Sequence, residues 1–121
     1  MLGIGLNMSY IVMPFEVISK VAPEPLGVRF VHLLSGIATR HSDTIDCIFR
    51  VGGQTATVAI SCATLTDLRE LEHKSLKDQQ LAEIAALHLR RTLERGYDAT
   101  LAELFLGGDE LRGLARELGY L

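Results

Sequence analysis

Three residues have side chains whose type and place in the sequence suggest chemistry: His88, Cys62 and Arg91. His88 falls on a helical wheel among Leu81, Ile84, Ala85 and Thr92, in the middle of an apolar stripe. An imidazole there has two uses. It is a hydrogen-bonded core residue, or, given a carboxylate or second histidine nearby, a ligand or proton carrier. The core role is the expected one, since the sequence does not supply the partner. Cys62 stands just before a predicted helix, where a helix N-terminus can lower a thiol's pKa and create a nucleophile. A small apolar core residue is again the expected reading, as it is for Cys47. Arg91 belongs with Arg90 and Arg95 to the chain's one basic cluster, interrupted by Glu94, which reads as a solvated helix face.

Other candidate groupings fail on spacing. His41, Asp43, Asp46 and Cys47 lie close in sequence, but their order fits no zinc or calcium pattern. Gly3-Ile4-Gly5 lacks the third glycine of a dinucleotide fingerprint. No Gly-x-Ser-x-Gly elbow and no Cys-x-x-Cys pair occur. Gly107-Gly108-Asp109 offers backbone N–H groups at a helix start, where the Asp109 carboxylate would repel an anion. Residues 99–118 suggest a helix-turn-helix, two short helices about a glycine turn. Its second helix would carry Asp109, Glu110 and Glu117 against Arg112 and Arg116, which cancels most of the attraction to phosphate.

Positioning any of these residues falls to a scaffold whose centre is residues 45–62. Gly52-Gly53 can supply the two positive-φ positions of a type I′ turn. That turn sets Val51 against Gln54, Phe49 against Ala56, Cys47 against Val58 and Ile45 against Ile60. One face is then Ile45, Cys47, Phe49, Val51, Ala56, Val58 and Ile60. The other carries Asp46, Ile48, Arg50, Thr55, Thr57, Ala59 and Ser61. A one-residue slip would break the apolar face, so the register is specified.

Upstream, β-branched and aromatic residues predict a strand from Ser9 into Met13, with Pro14 at an edge or a break. A short helix beginning at Pro14 is the alternative. Residues 28–39 fit both a helical stripe and a strand; Gly36 and the β-branched residues favour the strand. Downstream the period changes to that of helices. Thr64 would cap a helix over 64–73, and Ser75 a long one running to Arg95 with Gly96 as its left-handed terminator. Thr100 to Glu103 has the form of a capping box for a short helix ending at Gly107. Asp109 would cap a last helix carrying Leu111, Leu114, Ala115 and Leu118, with Tyr120 folding back onto it.

The expected fold is therefore α+β: a small antiparallel sheet of three or four strands against a C-terminal half of three to four helices. One domain accounts for 121 residues, with residues 1–7 as a lead before an alternative start at Met8. The content of 48% hydrophobic and 22% charged residues argues against disorder and against a membrane protein. Pro14 and Glu16 interrupt any spanning segment, and no basic region precedes an apolar stretch as in a secretory signal. Two unpaired cysteines suggest a reducing, cytoplasmic setting. A net charge of −3, carried by the second half, gives no overall pull toward nucleic acid or anionic lipid. No cofactor and no metal are implied.

The leading functional expectation is a non-catalytic module that self-associates or binds a protein partner. The helix over 76–95 has apolar residues over about 200° of arc, roughly twice what one sheet covers, which predicts a homodimer with that helix at the interface. A nucleic-acid-linked regulator using residues 99–118 is one alternative. A small-molecule-binding or enzymatic domain with a pocket near His88 and Cys62 is the other.

Overall fold

The computed structural model describes residues 12–21, 23–34 and 43–121. Five strands and three helices follow in order: β1 (Phe15–Val17), β2 (Leu26–Leu34), β3 (Thr44–Val51), β4 (Gln54–Ser61), α1 (Cys62–Leu71), α2 (Asp78–Glu94), β5 (Leu104–Leu106) and α3 (Gly108–Glu117). The strands form one sheet in sequence order, antiparallel except for β5, which runs parallel to β4. The architecture is α+β with five strands where three or four are expected.

The β3–β4 hairpin has the expected register at all four pairs, with Gly52 at φ 57° and Gly53 at φ 93°. Its apolar face meets α2, which lies across β1 to β4. Cys47, Phe49, Val58 and Ile60 are fully buried there with Leu81, Ile84, Ala85 and Leu89. Phe30 and Phe49, opposed across β2 and β3, meet edge to face at 5.4 Å.

Residues 26–34 are indeed a strand, and a bulge between Phe30 and His32 explains their mixed periodicity. Val31 is the extra residue, so the alternation reverses after it. Residues 35–39 lie outside the described residues, as do the lead 1–7, Met8, and Ser9 to Ile11 of the predicted first strand. Met13 is not in a strand. The strand begins after Pro14 and forms the sheet edge, where a proline's missing N–H costs nothing.

The helix starts differ from the sequence reading by one to three residues. Ser61, not Thr64, caps α1: its Oγ accepts the Thr64 N–H at 3.2 Å. Ser75 does not cap α2. That helix begins at Asp78, and the Lys77 N–H donates to Gln80 Oε1 at 2.8 Å. Gly107 and not Asp109 precedes α3, and the Gly108 N–H donates to Thr64 Oγ1, tying α3 to α1. Gly96 does take the left-handed conformation at the end of α2. Tyr120 does fold back, its N–H donating to Ala115 O at 2.8 Å.

The helix expected at 100–107 does not form. Thr100 instead closes a turn with Asp98, whose Oδ1 accepts both its N–H and its hydroxyl, and Leu104–Leu106 joins the sheet. Three apolar residues in a row carry no period, and their pairing partner is more than forty residues away in sequence, joined through α1 and α2. Residues 99–118 are therefore a turn, a strand and one helix, so the helix-turn-helix arrangement is absent.

The wide apolar arc of α2 is satisfied within the chain. Its sheet-facing residues bury against β1 to β4, and α3 packs along it with Leu111, Leu114 and Ala115 buried. The surplus arc belongs to α3, which removes the argument from arc width for a dimer interface on this helix. No helix among the described residues is long and apolar enough to cross a membrane.

Candidate functional site

His88 and Arg91 come together on one seam, between α2 and α3. They sit three residues apart on α2, hence on one side of it, and each faces a carboxylate two turns apart on α3. His88 Nδ1 lies 3.8 Å from Glu110 Oε2, and Arg91 forms a two-pronged pair with Glu117. The carboxylate that a working histidine needs is therefore present, although 3.8 Å is beyond hydrogen-bond reach. His88 is 8% exposed, and burial lowers its pKa below 6.5, outweighing the upward pull of Glu110; Arg95 adds to the lowering. The imidazole is neutral near pH 7. The Arg91–Glu117 pair holds the arginine's pKa up and the carboxyl's down, at a solvent-exposed position where such pairs add little stability.

This seam gives a pH prediction. A group whose folded pKa lies below its unfolded value adds stability that is complete above the unfolded value and is lost as pH falls. For His88 the loss begins near the ordinary histidine pKa of 6.5 and continues downward. Urea midpoints should therefore fall more between about pH 7.5 and pH 5 in the wild type than in His88→Gln. Equal falls in the two proteins would contradict a desolvated His88.

Cys62 is the first residue of α1, not part of this seam. Burial pushes its thiol pKa up, and Asp43 and Asp46 push it further, so the helix terminus does not yield a thiolate. Cys47 is pushed up to about 12, by burial and then by Asp46 and Asp78. Its Sγ lies 4.0 Å from Leu81 O beneath α2. Both cysteines are free thiols. Of the metal grouping, His41 lies outside the described residues, Asp43 is exposed, and Asp46 and Cys47 lie on opposite sheet faces. No cluster of three metal-ligating side chains occurs among the described residues.

The arginines diverge. Arg90 lies over the Phe15 ring at 4.3 Å, Arg95 over the Tyr97 ring at 5.7 Å, and Arg91 points to α3. Arg112 reaches Glu72 at the end of α1. They build no common basic face.

Space for a ligand or partner lies elsewhere, on the sheet face turned away from α2. Four clefts of the described surface are lined by neither His88 nor Cys62. Two of them lie on this second face. Strand pairing arranges its residues in rows: Leu34, Asp46, Ala59 and Phe105 in one, His32, Ile48 and Thr57 in the next, then Arg29, Arg50 and Thr55. Glu16, Arg29, His32, Arg50, Thr55 and Phe105 are exposed; Leu34, Ile48 and Thr57 are half-buried. A cleft of about 430 Å³ lies over the first two rows, lined by Leu34, Asp46, Ile48, Thr55, Thr57 and residues 99–103. Asp46 is buried at its base and accepts the Thr44 hydroxyl at 2.9 Å. Beside the cleft stand Phe105, 63% exposed, and Leu101, 82% exposed.

The hairpin alternation already placed Asp46, Ile48, Arg50 and Thr57 together. What the sequence reading missed is β5, which is three residues long, and the register of β2, which carries a bulge.

No protein-family model, curated protein or solved structure matches the chain.

Proposed function

We propose that the chain is a non-catalytic binding module that self-associates through the open face of its sheet. The observation that carries this reading is the placement of Phe105 and Leu101, both largely exposed, beside the cleft floored by Leu34 and Ile48. Large apolar side chains exposed beside a cleft mark an interaction site more often than singly scattered ones do. An exposed aromatic side chain and a cleft on one face can be self-complementary about a two-fold axis. Each copy's Phe105 enters the other's cleft, as isologous dimers require. The rim is polar, with Thr55, Thr57, Thr100 and Glu103, in keeping with a buried anchor ringed by hydrophilic groups. Free thiols with raised pKa values, and a neutral His88 that lines none of these four clefts, do not favour an enzyme.

Phe105→Asp tests the reading by sedimentation velocity. An aromatic anchor at an interface centre is worth about 2 kcal/mol or more, and a two-fold dimer loses two of them, so the dimer Kd should rise roughly a thousandfold. Phe105 is exposed within one chain, so the variant's unfolding midpoint under monomeric conditions should stay close to that of the wild type. Unchanged self-association in Phe105→Asp would exclude this face.

A further inference from the structure

The second cleft on the open face, at the hairpin end, has a volume of about 500 Å³ and is lined by Glu16, Gly27, Arg29, Arg50, Gly52 and Gly53 among others. Arg29 and Arg50 are direct partners across β2 and β3, so their side chains rise from one face side by side. Like charges placed directly opposite each other destabilise a sheet. Arg50 is held in place, its guanidinium donating to Gly53 O and to Thr55 Oγ1, which leaves further N–H donors available. Arg29 is exposed and makes no ion pair or side-chain hydrogen bond among the described residues. Among the described residues, two guanidinium groups, one anchored and one without an ion-pair partner, thus converge on a cleft whose acidic lining residue, Glu16, pairs with neither.

We propose that this cleft binds a phosphomonoester of a small hydroxylated molecule. A dianionic phosphate matches the two guanidinium charges, and any two oxygens of its tetrahedron can pair with arginine's planar fork. A single carboxylate would balance one. The remaining volume accommodates the organic portion, and Glu16, on the neighbouring strand, is placed to accept its hydroxyl groups. The self-association surface is centred two rows away, at Leu34 and Phe105, so the two assignments stand or fall separately.

The test is thermal unfolding of the full chain at low ionic strength, titrated with glucose 6-phosphate, inorganic phosphate and citrate, for wild type, Arg29→Gln and Arg116→Gln. Ligand that binds only the folded state raises Tm through a stabilisation of RT ln(1 + L/Kd), where L is the free ligand concentration. Wild type and Arg116→Gln should shift with the two phosphate compounds, more with glucose 6-phosphate. Arg29→Gln should bind at least about tenfold more weakly, the loss expected for a charge-assisted contact. Without ligand, Arg29→Gln should unfold at the same temperature as wild type or higher, since a like-charge neighbour is removed. The assignment is overturned by wild type failing to respond, by citrate matching the phosphate compounds, or by Arg116→Gln losing the response equally. A ligand-free Tm that drops in Arg29→Gln would also overturn it, by making Arg29 a structural residue. Phe105→Asp should retain the phosphate response, which keeps this result distinct from that of self-association.

Discussion

Phe49→Ala is expected to destabilise the protein by about 3–5 kcal/mol, the range for removing a fully buried aromatic ring. Phe49 is 0% exposed, faces Ala56 across the hairpin, and meets Phe30 edge to face beneath α2. Truncation therefore removes packing on two sides and leaves a cavity that neighbours fixed in a sheet cannot collapse to fill. The adjacent Arg50→Ala should lie within about half a kcal/mol of wild type, because its side chain stands on the exposed face. Urea titrations of the two variants measure the contrast. Equal losses would mean that the faces of the hairpin are wrongly assigned.

The second large effect is expected at Ile84, on the middle of α2 and also 0% exposed. Ile84→Ala should cost about 2–5 kcal/mol. Its significance lies in where that loss appears. If the apolar arc of α2 is satisfied inside one chain, the loss is one of folding stability, read as a lower urea midpoint at a protein concentration where the wild type is monomeric. Self-association measured under native conditions should be unchanged. A variant that folds as stably as the wild type but no longer associates would place α2 at an intermolecular interface instead.

These two residues also show how far the sequence was readable. Phe49 was fixed by local information: a two-glycine turn and two strands whose alternation agrees in only one register. Ile84 was legible as part of an apolar helix, but its partners were not. The arc of α2 is too wide for one sheet, and a wheel cannot say whether the remainder meets a helix of the same chain or another copy. The answer lay in α3, whose Leu111, Leu114 and Ala115 are buried in the same core. Residues 100–107 misled for a different reason. Thr100 and Glu103 have the types of a capping box, yet Asp98 captures the Thr100 N–H and hydroxyl, and parallel pairing with β4 takes the next apolar residues. Local capping chemistry lost to a long-range pairing that no short window contains. His88 was placed correctly in the apolar stripe, whereas its neighbour Glu110 arrives from α3 and depends on the tertiary fold.

The open face was half visible. Ile48, Arg50 and Thr57 were assigned to it from the hairpin alone, but the cleft needs Leu34 from β2 and the 99–103 turn. Arg29 becomes a neighbour of Arg50 only through the β2–β3 register.

The self-association surface is tested most directly by a benzophenone photocrosslinker installed in place of Phe105. Irradiation at a concentration where the protein associates should give a covalent dimer, with the attachment on Leu34, Ile48 or Thr57 of the other copy. No covalent dimer, or attachment mainly along α2, would contradict the account.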